Sequence, residues 1–340
     1  MTYQVVLNFE DGVSRVISCD DAEKVTDAAF RHKINLPMDC RDGVCGTCKC
    51  KVGAGDYEME FYLEDEAMTE EEEQEGYALL CQTTVSSDAV FNVMASSEAC
   101  KTGAQQTAGE VIAAEKLSET SFNLRVKLEK PLGFLPGQYV NVSVPGTEET
   151  RSYSFSSKPG TDEATFLIRN LEGGVMSSYL AERASAGDKV ELTGPMGIFY
   201  LREMKRPQLW LAGGTGLAPF LSMLEKVAEE GTDQPITLYY AVTRAADLVE
   251  LERVEQLAEK IGTVTVVTIL AAEDEEHALK GYVTDHLSEK DMNDGDVDVY
   301  LCGPPPMVDA VSKHFKTLGT EPAQFFYEKF NPSESKAEAA

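Results

Sequence analysis

The stretch Cys40-Arg-Asp-Gly-Val-Cys45-Gly-Thr-Cys48 sets three thiols with four and then two residues between them, and Cys81 stands alone further along. A C-x4-C-x2-C run with a distant fourth cysteine is the spacing by which four thiolates wrap a [2Fe-2S] cluster. Gly43, Gly46 and Thr47 are the small residues that let backbone N–H groups turn toward the sulfurs. A structural zinc site or a set of free thiols is the alternative. Zinc sites usually combine two C-x2-C knuckles or add histidines, whereas only Cys45 and Cys48 form a knuckle here and His32 is the nearest imidazole. Metal ligation by Cys40, Cys45, Cys48 and Cys81 is therefore the favoured reading. Cys50 reads as a strand thiol outside the cluster, and Cys19 and Cys100 as ordinary free cysteines.

A second constellation begins at Leu209-Trp-Leu-Ala-Gly-Gly-Thr-Gly-Leu-Ala-Pro219, a glycine-rich turn between an apolar strand and a helix. In a parallel sheet such a turn meets a dinucleotide pyrophosphate, because backbone N–H groups and a helix start point at it. Gly213-Gly214-Thr215-Gly216 is not G-x-G-x-x-G, and glycines also close strand–helix turns for packing alone. Cys302-Gly303-Pro304-Pro-Pro-Met307 strengthens the ligand reading by placing a thiol at the carboxyl end of a later strand, where the crevice of such a sheet lies.

These side chains need three kinds of support. Tyr3–Phe9 and Ser14–Ser18 alternate around an Asp11-Gly12 turn, and Asp20 or Asp21 can cap a helix through Val25, Ala28, Ala29 and His32. Strands are expected at Lys49–Val52, around Leu80–Thr84 and at Val90–Met94, with His32 packing at a helix end. Ser96–Gly109 has no apolar period and reads as a linker. Short strands at Val111–Leu117, Phe122–Leu128, Tyr139–Val144, Ser152–Ser156, Thr165–Arg169 and Val190–Leu192 predict a small antiparallel barrel. Beyond Arg206-Pro207, strands at Gln208–Ala212, Ile236–Val242, Val264–Leu270, Val297–Cys302 and Gln324–Glu328 alternate with helices, which predicts a parallel sheet. The expected division is 1–96, a linker over 97–108, 109–206 and 207–340.

A chain of 340 residues with 43% hydrophobic content is long enough for two or three cores. The formal charge of −28 argues against nucleic acid and anionic membrane surfaces as partners. The acidic run Glu64–Glu75 could steer a basic partner, but a solvated face is the favoured reading. The opening residues alternate like a strand rather than forming a signal peptide, and eight cysteines with four in cluster spacing fit a reducing compartment, so a cytoplasmic location is expected.

Arg151-Ser152-Tyr153-Ser154, Gly174-Val175-Met176-Ser177, the glycine turn and the Cys302 motif, in that order, resemble the ferredoxin–NADP⁺ reductase superfamily. With a plant-type ferredoxin ahead of them, the chain is similar to the reductase components of bacterial ring-hydroxylating dioxygenases. The resemblance implies a β-grasp ferredoxin, an antiparallel flavin-binding barrel and a parallel-sheet nicotinamide-binding domain. It implies that Arg151 pairs with a flavin phosphate, that backbone groups of Tyr153 and Ser154 meet the isoalloxazine edge with the Ser154 hydroxyl near its N5, that Ser152 belongs to the same cofactor-binding set, and that Gly174, Val175, Met176 and Ser177 hold the pyrophosphate. Tyr139, Ile168 and Arg169 complete the flavin set; Gly213, Gly214, Thr215, Gly216, Cys302, Gly303 and Pro304 face the nicotinamide nucleotide. Ser154, Cys302, Glu328 and Phe330 are the implied catalytic group, Phe330 keeping the stacking role of the family's terminal aromatic without a hydroxyl.

NADH supplies electrons as a hydride and a [2Fe-2S] cluster takes them singly, so a flavin must stand between, close to the cluster. FAD is preferred to FMN by the resemblance alone. NADH is preferred to NADPH because the lone Arg244 after the Ile236–Val242 strand could serve a 2′-phosphate or merely an adenine face, and no cluster of basic residues follows it. The implied partner is a terminal Rieske-type oxygenase of a benzoate-type 1,2-dioxygenase system, and a monomer is the simplest expectation. The reductase of a di-iron monooxygenase is the near alternative, and a redox-sensing or zinc-stapled interaction protein the non-enzymatic one.

Overall fold

The computed structural model describes residues 1–38, 40–64, 67–101 and 105–330, in two compact units: Met1–Gln105 with Gly194–Ile198, and Gln106–Thr193 with the rest.

In the first unit, Val5, Leu7 and Phe9 of β1 (Thr2–Phe9) and Ile17 and Cys19 of β2 (Ser14–Asp20) alternate into one buried core. The two strands pair antiparallel around Gly12, whose φ of 77° suits the tight turn. Helix α1 (Val25–Arg31) adds Val25, Ala28 and Ala29 to that core. There follow β3 (Lys49–Ala54), β4 (Tyr57–Met59), α2 (Glu70–Gln74), β5 (Tyr77–Leu79), β6 (Thr83–Val85) and β7 (Ala89–Val93). The main sheet runs β2-β1-β7-β3-β5, with β1 and β7 parallel, and β4 pairs with β6 apart from it.

Three expectations are corrected here. Helix α1 is capped neither by Asp20 nor by Asp21: Asp20 ends β2, and the N-cap is Lys24, whose extended backbone bridges to Thr84. The single strand expected at Leu80–Thr84 is two short strands with a turn between, fixed by Gln82 N–H and the Thr83 hydroxyl both donating to Leu79 O at 2.8 Å. Cys81 sits in that turn. The acidic run contains α2, which a capping box starts: Thr69 Oγ1 accepts from Glu72 N–H while the Glu72 carboxylate accepts from Thr69 N–H. Lys49 anchors the same Glu72 at 2.6 Å. His32 packs at the end of α1 as expected, its Nε2 accepting from Ser18 N–H at 3.2 Å.

The second unit opens with β8 (Gln105–Ser118), so residues 105–108 of the expected linker belong to a strand, while 102–104 fall outside the described residues. With β9 (Ser121–Leu128), β10 (Tyr139–Ser143), β11 (Thr150–Ser154), β12 (Glu163–Arg169), α3 (Val175–Glu182) and β13 (Lys189–Met196) it forms a six-stranded sheet ordered β11-β10-β13-β8-β9-β12. A bridge between Phe155 and Phe166 joins the two outer strands, so the sheet closes into a barrel. Phe134, Phe155 and Phe166 fill it, with Phe134 stacked on Phe155 at 3.8 Å.

Next come β14 (Gln208–Gly213), α4 (Leu217–Glu230), β15 (Ile236–Val242), α5 (Leu251–Ile261), β16 (Val264–Leu270), β17 (Asp298–Gly303), α6 (Pro305–Leu318) and β18 (Gln324–Lys329). The five strands are parallel in the order β16-β15-β14-β17-β18. Strand β14 is buried along its whole length, as a strand covered on both faces must be. The chain winds outward from β14 to β16 and then returns to the other side of β14 as β17. The order therefore reverses between β14 and β17, and the crevice at a reversal lies beyond the carboxyl ends of the two strands. Leu167 and Phe199 of the barrel half share one core cluster with Trp210, Phe220 and Tyr300 of the parallel half.

Candidate cofactor sites

The four cluster cysteines are met first. The loop after α1 turns at Gly43 and Gly46, with φ of 75° and 71°. A Cβ on Gly43 would run into Phe61 O, and one on Gly46 would lie 2.5 Å from Ala67 O. The thiols come in two pairs: Cys40 shares a hydrogen bond with Cys45, and Cys48 with Cys81. Two thiols for each of two irons is what a [2Fe-2S] cluster needs.

Backbone N–H groups also reach the sulfurs. Asp42 N–H donates to Cys40 Sγ at 3.4 Å, Thr47 N–H to Cys45, and Gly43 N–H to Cys81. The Cys48 thiol, with Gly43 N–H, holds Cys81 down to about 6 against the effect of burial. The same contact, with burial, pushes Cys48 up. The donor set fits a cluster: four sulfurs in pairs, polarised by amides, in a loop that tolerates no Cβ at its glycines. Cys19, Cys50 and Cys100 are buried elsewhere in the core, and burial pushes Cys19 up to about 11 and Cys100 up to about 12.

The flavin candidates lie on a ladder. Antiparallel pairing sets Tyr139 opposite Ser154, Val140 opposite Tyr153 and Asn141 opposite Ser152. Arg151 is held by Glu149 at 2.9 Å, the Ser152 hydroxyl donates to Asn141 at 2.6 Å, and burial raises the Tyr153 phenol. Gly174 caps α3, whose first N–H groups have no intrahelical acceptor. The Ser177 hydroxyl accepts from Leu171 N–H at 2.9 Å and draws the incoming loop onto that helix start. A guanidinium and a helix N-terminus in one barrel fit a pyrophosphate. Arg169 is exposed at the end of β12. Ile168 and Met176 are buried in the barrel core, so their side chains pack and their backbone alone remains for a ligand.

The nicotinamide candidates gather at the reversal point. Gly213 is in close packing, since a Cβ there would strike Met307 Sδ, and one on Gly216 would strike Cys302 O. Gly214 differs: its φ is 55° and nothing lies within 4 Å of its would-be Cβ. Half-buried Thr215 and open Gly214 thus face the crevice, while Gly213 and Gly216 let β14 and β17 approach. Cys302 sits opposite Glu328 in the β17–β18 register, and its Sγ lies 4.0 Å from Glu328 Oε2. The Ser154 hydroxyl donates to that same oxygen at 3.1 Å. Three residues from separate stretches of sequence therefore meet at one carboxylate. Burial, reinforced by Glu328, raises the Cys302 thiol far above its ordinary value and keeps it neutral. Phe330 N–H donates to Gly303 O at 2.9 Å, which sets its ring at the edge of the core around Trp210 and Tyr300. Pro304 caps α6.

Arg244 follows β15 and is engaged by Asp274 at 3.2 Å and Glu275 at 3.0 Å. Sequence reasoning missed both carboxylates, as it missed Glu149 and Asn141. The run Glu273–Glu276 is the signal that could have pointed to the pair.

Three family descriptions match the chain in order: 2Fe-2S iron-sulfur cluster binding domain over residues 8–86, oxidoreductase FAD-binding domain over 108–200, and oxidoreductase NAD-binding domain over 210–313. The fold and these sites define an NADH-, FAD- and [2Fe-2S]-dependent oxidoreductase. The toluate 1,2-dioxygenase electron transfer component of Pseudomonas putida is 50% identical over 336 residues, covering 98% of this chain and 100% of that one. The 2-halobenzoate 1,2-dioxygenase electron transfer component of Burkholderia cepacia is 42% identical, over 98% and 99%. Among solved structures, an Amycolatopsis cytochrome P450 reductase superposes with a TM-score of 0.73 at 30% identity, over 97% of this chain and 100% of that one. The chain belongs to the family of dioxygenase electron transfer components.

Proposed function

We propose that this chain is the NADH-dependent reductase that feeds the terminal Rieske-type oxygenase of a benzoate-type aromatic 1,2-dioxygenase system. The observation that carries it is the end-to-end identity of 50% with a toluate dioxygenase component. Propane 2-monooxygenase reductases are 35% identical or less over similar lengths, which ranks the di-iron monooxygenase reading second. The proposed setting is the cytoplasm and the proposed state a monomer that binds neither nucleic acid nor membrane. No helix among the described residues is long and apolar enough to cross a membrane. The proposed division of labour follows 1–96, 109–206 and 207–340, with residues 105–108 already part of β8.

When bound, the nicotinamide supplies a hydride, the flavin divides the electron pair, and the cluster passes electrons on singly. The chain's own residues position these groups. Arg151 and the α3 start bind the flavin phosphates, and Ser152 and Tyr153 orient the ring with Tyr139. Ser154 keeps a hydroxyl proton pointed at Glu328 Oε2. Glu328 holds that hydroxyl and faces the neutral Cys302 thiol, so no thiolate charge opposes the reaction at the crevice. Phe330 shields this junction from water, and Gly214 and Thr215 receive the nucleotide phosphates.

The test is reconstitution with purified oxygenases. NADH-driven dihydroxylation of benzoate or toluate with a Rieske oxygenase, and little turnover with a di-iron monooxygenase, is the expected result; the reverse preference overturns the reading.

A further inference from the structure

The nucleotide crevice carries a charge arrangement that the dinucleotide motif does not require. Beyond β15 and β16 the chain continues pairing: Ala271 N–H donates to Val242 O and Ala272 N–H to Thr243 O, both at 2.9 Å. This fixes the following segment against residues 243–245. Asp274 and Glu275 then grip Arg244 Nη1, and the second Glu275 oxygen accepts Ala245 N–H at 2.6 Å. Asp247 accepts Arg244 N–H at 3.3 Å and is itself held by the Thr120 hydroxyl at 2.5 Å. One guanidinium thus meets two carboxylates, while a third carboxylate holds the backbone N–H of the same residue.

In doubly wound sheets the residues after the second strand meet the adenosine ribose, an acidic group there suiting a 2′-hydroxyl and a free Arg a 2′-phosphate. A 2′-phosphate needs a free guanidinium and free backbone N–H groups. Here Arg244 Nη1 and the Ala245 N–H are already engaged by carboxylates, and the surplus negative charge repels a phosphate. We infer that Asp274 and Glu275, on the segment after β16, determine the preference for NADH by keeping Arg244 and Ala245 N–H occupied. Arg244 is thereby a latent phosphate site rather than a working one. The inference rests on the NADH reading of this crevice.

The experiment compares holoenzyme binding of 5′-AMP and 2′,5′-ADP by calorimetry, with NADH and NADPH reduction of bound flavin alongside. Wild type is expected to bind 5′-AMP at least tenfold more tightly. Exposed ion pairs are each worth a few-fold in binding, so D274N/E275Q should tighten 2′,5′-ADP by roughly five- to tenfold with 5′-AMP little changed. Adding R244A should abolish that gain. Unchanged discrimination in D274N/E275Q, with an unaltered flavin spectrum, overturns the inference alone. Equal binding of the two nucleotides by wild type overturns the NADH reading and the inference with it.

Discussion

The cysteine loop at 40–48 and the glycine turn at 213–216 are both glycine-rich, yet they use the residue differently. In the first, Gly43 and Gly46 both take positive φ and are pressed against backbone, and side-chain sulfurs do the chemistry. In the second, Gly213 and Gly216 serve close packing of strands, and only Gly214 is left open for a ligand. A glycine motif is therefore a mixture of packing and binding positions, and the space beside each glycine separates them.

The largest effects should fall on the sulfurs. Cys48→Ser is expected to remove the [2Fe-2S] absorption and EPR signal and electron delivery to the oxygenase, while NADH-driven reduction of ferricyanide through the flavin persists. Loss of both activities would break the contrast between the two regions. Next, Ser154→Ala should slow flavin reduction by NADH by roughly a hundredfold in stopped flow, the scale for a single positioned donor. Because Ser154 and Glu328 share one hydrogen bond, Glu328→Gln combined with it should cost less than the product of the single effects.

The glycines sharpen the comparison further. Gly46→Ala should destabilise its unit by about 2 kcal/mol or more, since positive φ and a backbone clash add. Gly214→Ala should cost only about 1 kcal/mol for its φ but weaken nucleotide binding measurably, because its space is open. Calorimetric melting with 5′-AMP titration separates the two. The Cys302 thiol, buried and neutral, should resist iodoacetamide up to pH 8 in the folded enzyme, as mass spectrometry would read. Smallest is Thr69→Ala, which removes the α2 capping box for about 1 kcal/mol and leaves both chemistries untouched.

Much of this was legible in the sequence. The strands Ile236–Val242 and Val264–Leu270 fall where their apolar runs lie, the first mostly buried inside the sheet and the second half-buried at its edge. The approach of Ser154, Cys302 and Glu328 was implied by resemblance rather than by spacing, because only the fold brings positions so far apart in sequence to one oxygen. Helix α2 was hidden because a run of glutamates has no apolar face, although Thr69 and Glu72 carried its start signal. The turn at Cys81 was hidden because Leu79, Leu80 and Cys81 are all buried in the core and carry an apolar run straight through it. Asp274 and Glu275 act through a charge on another loop, which no local window contains.

Leu167 and Phe199 share a core with Trp210, Phe220 and Tyr300. Anyone wishing to graft a different nicotinamide half onto this flavin half by cutting near residue 206 would tear open that seam. Exchange between reductases of this type is better attempted by carrying both halves together.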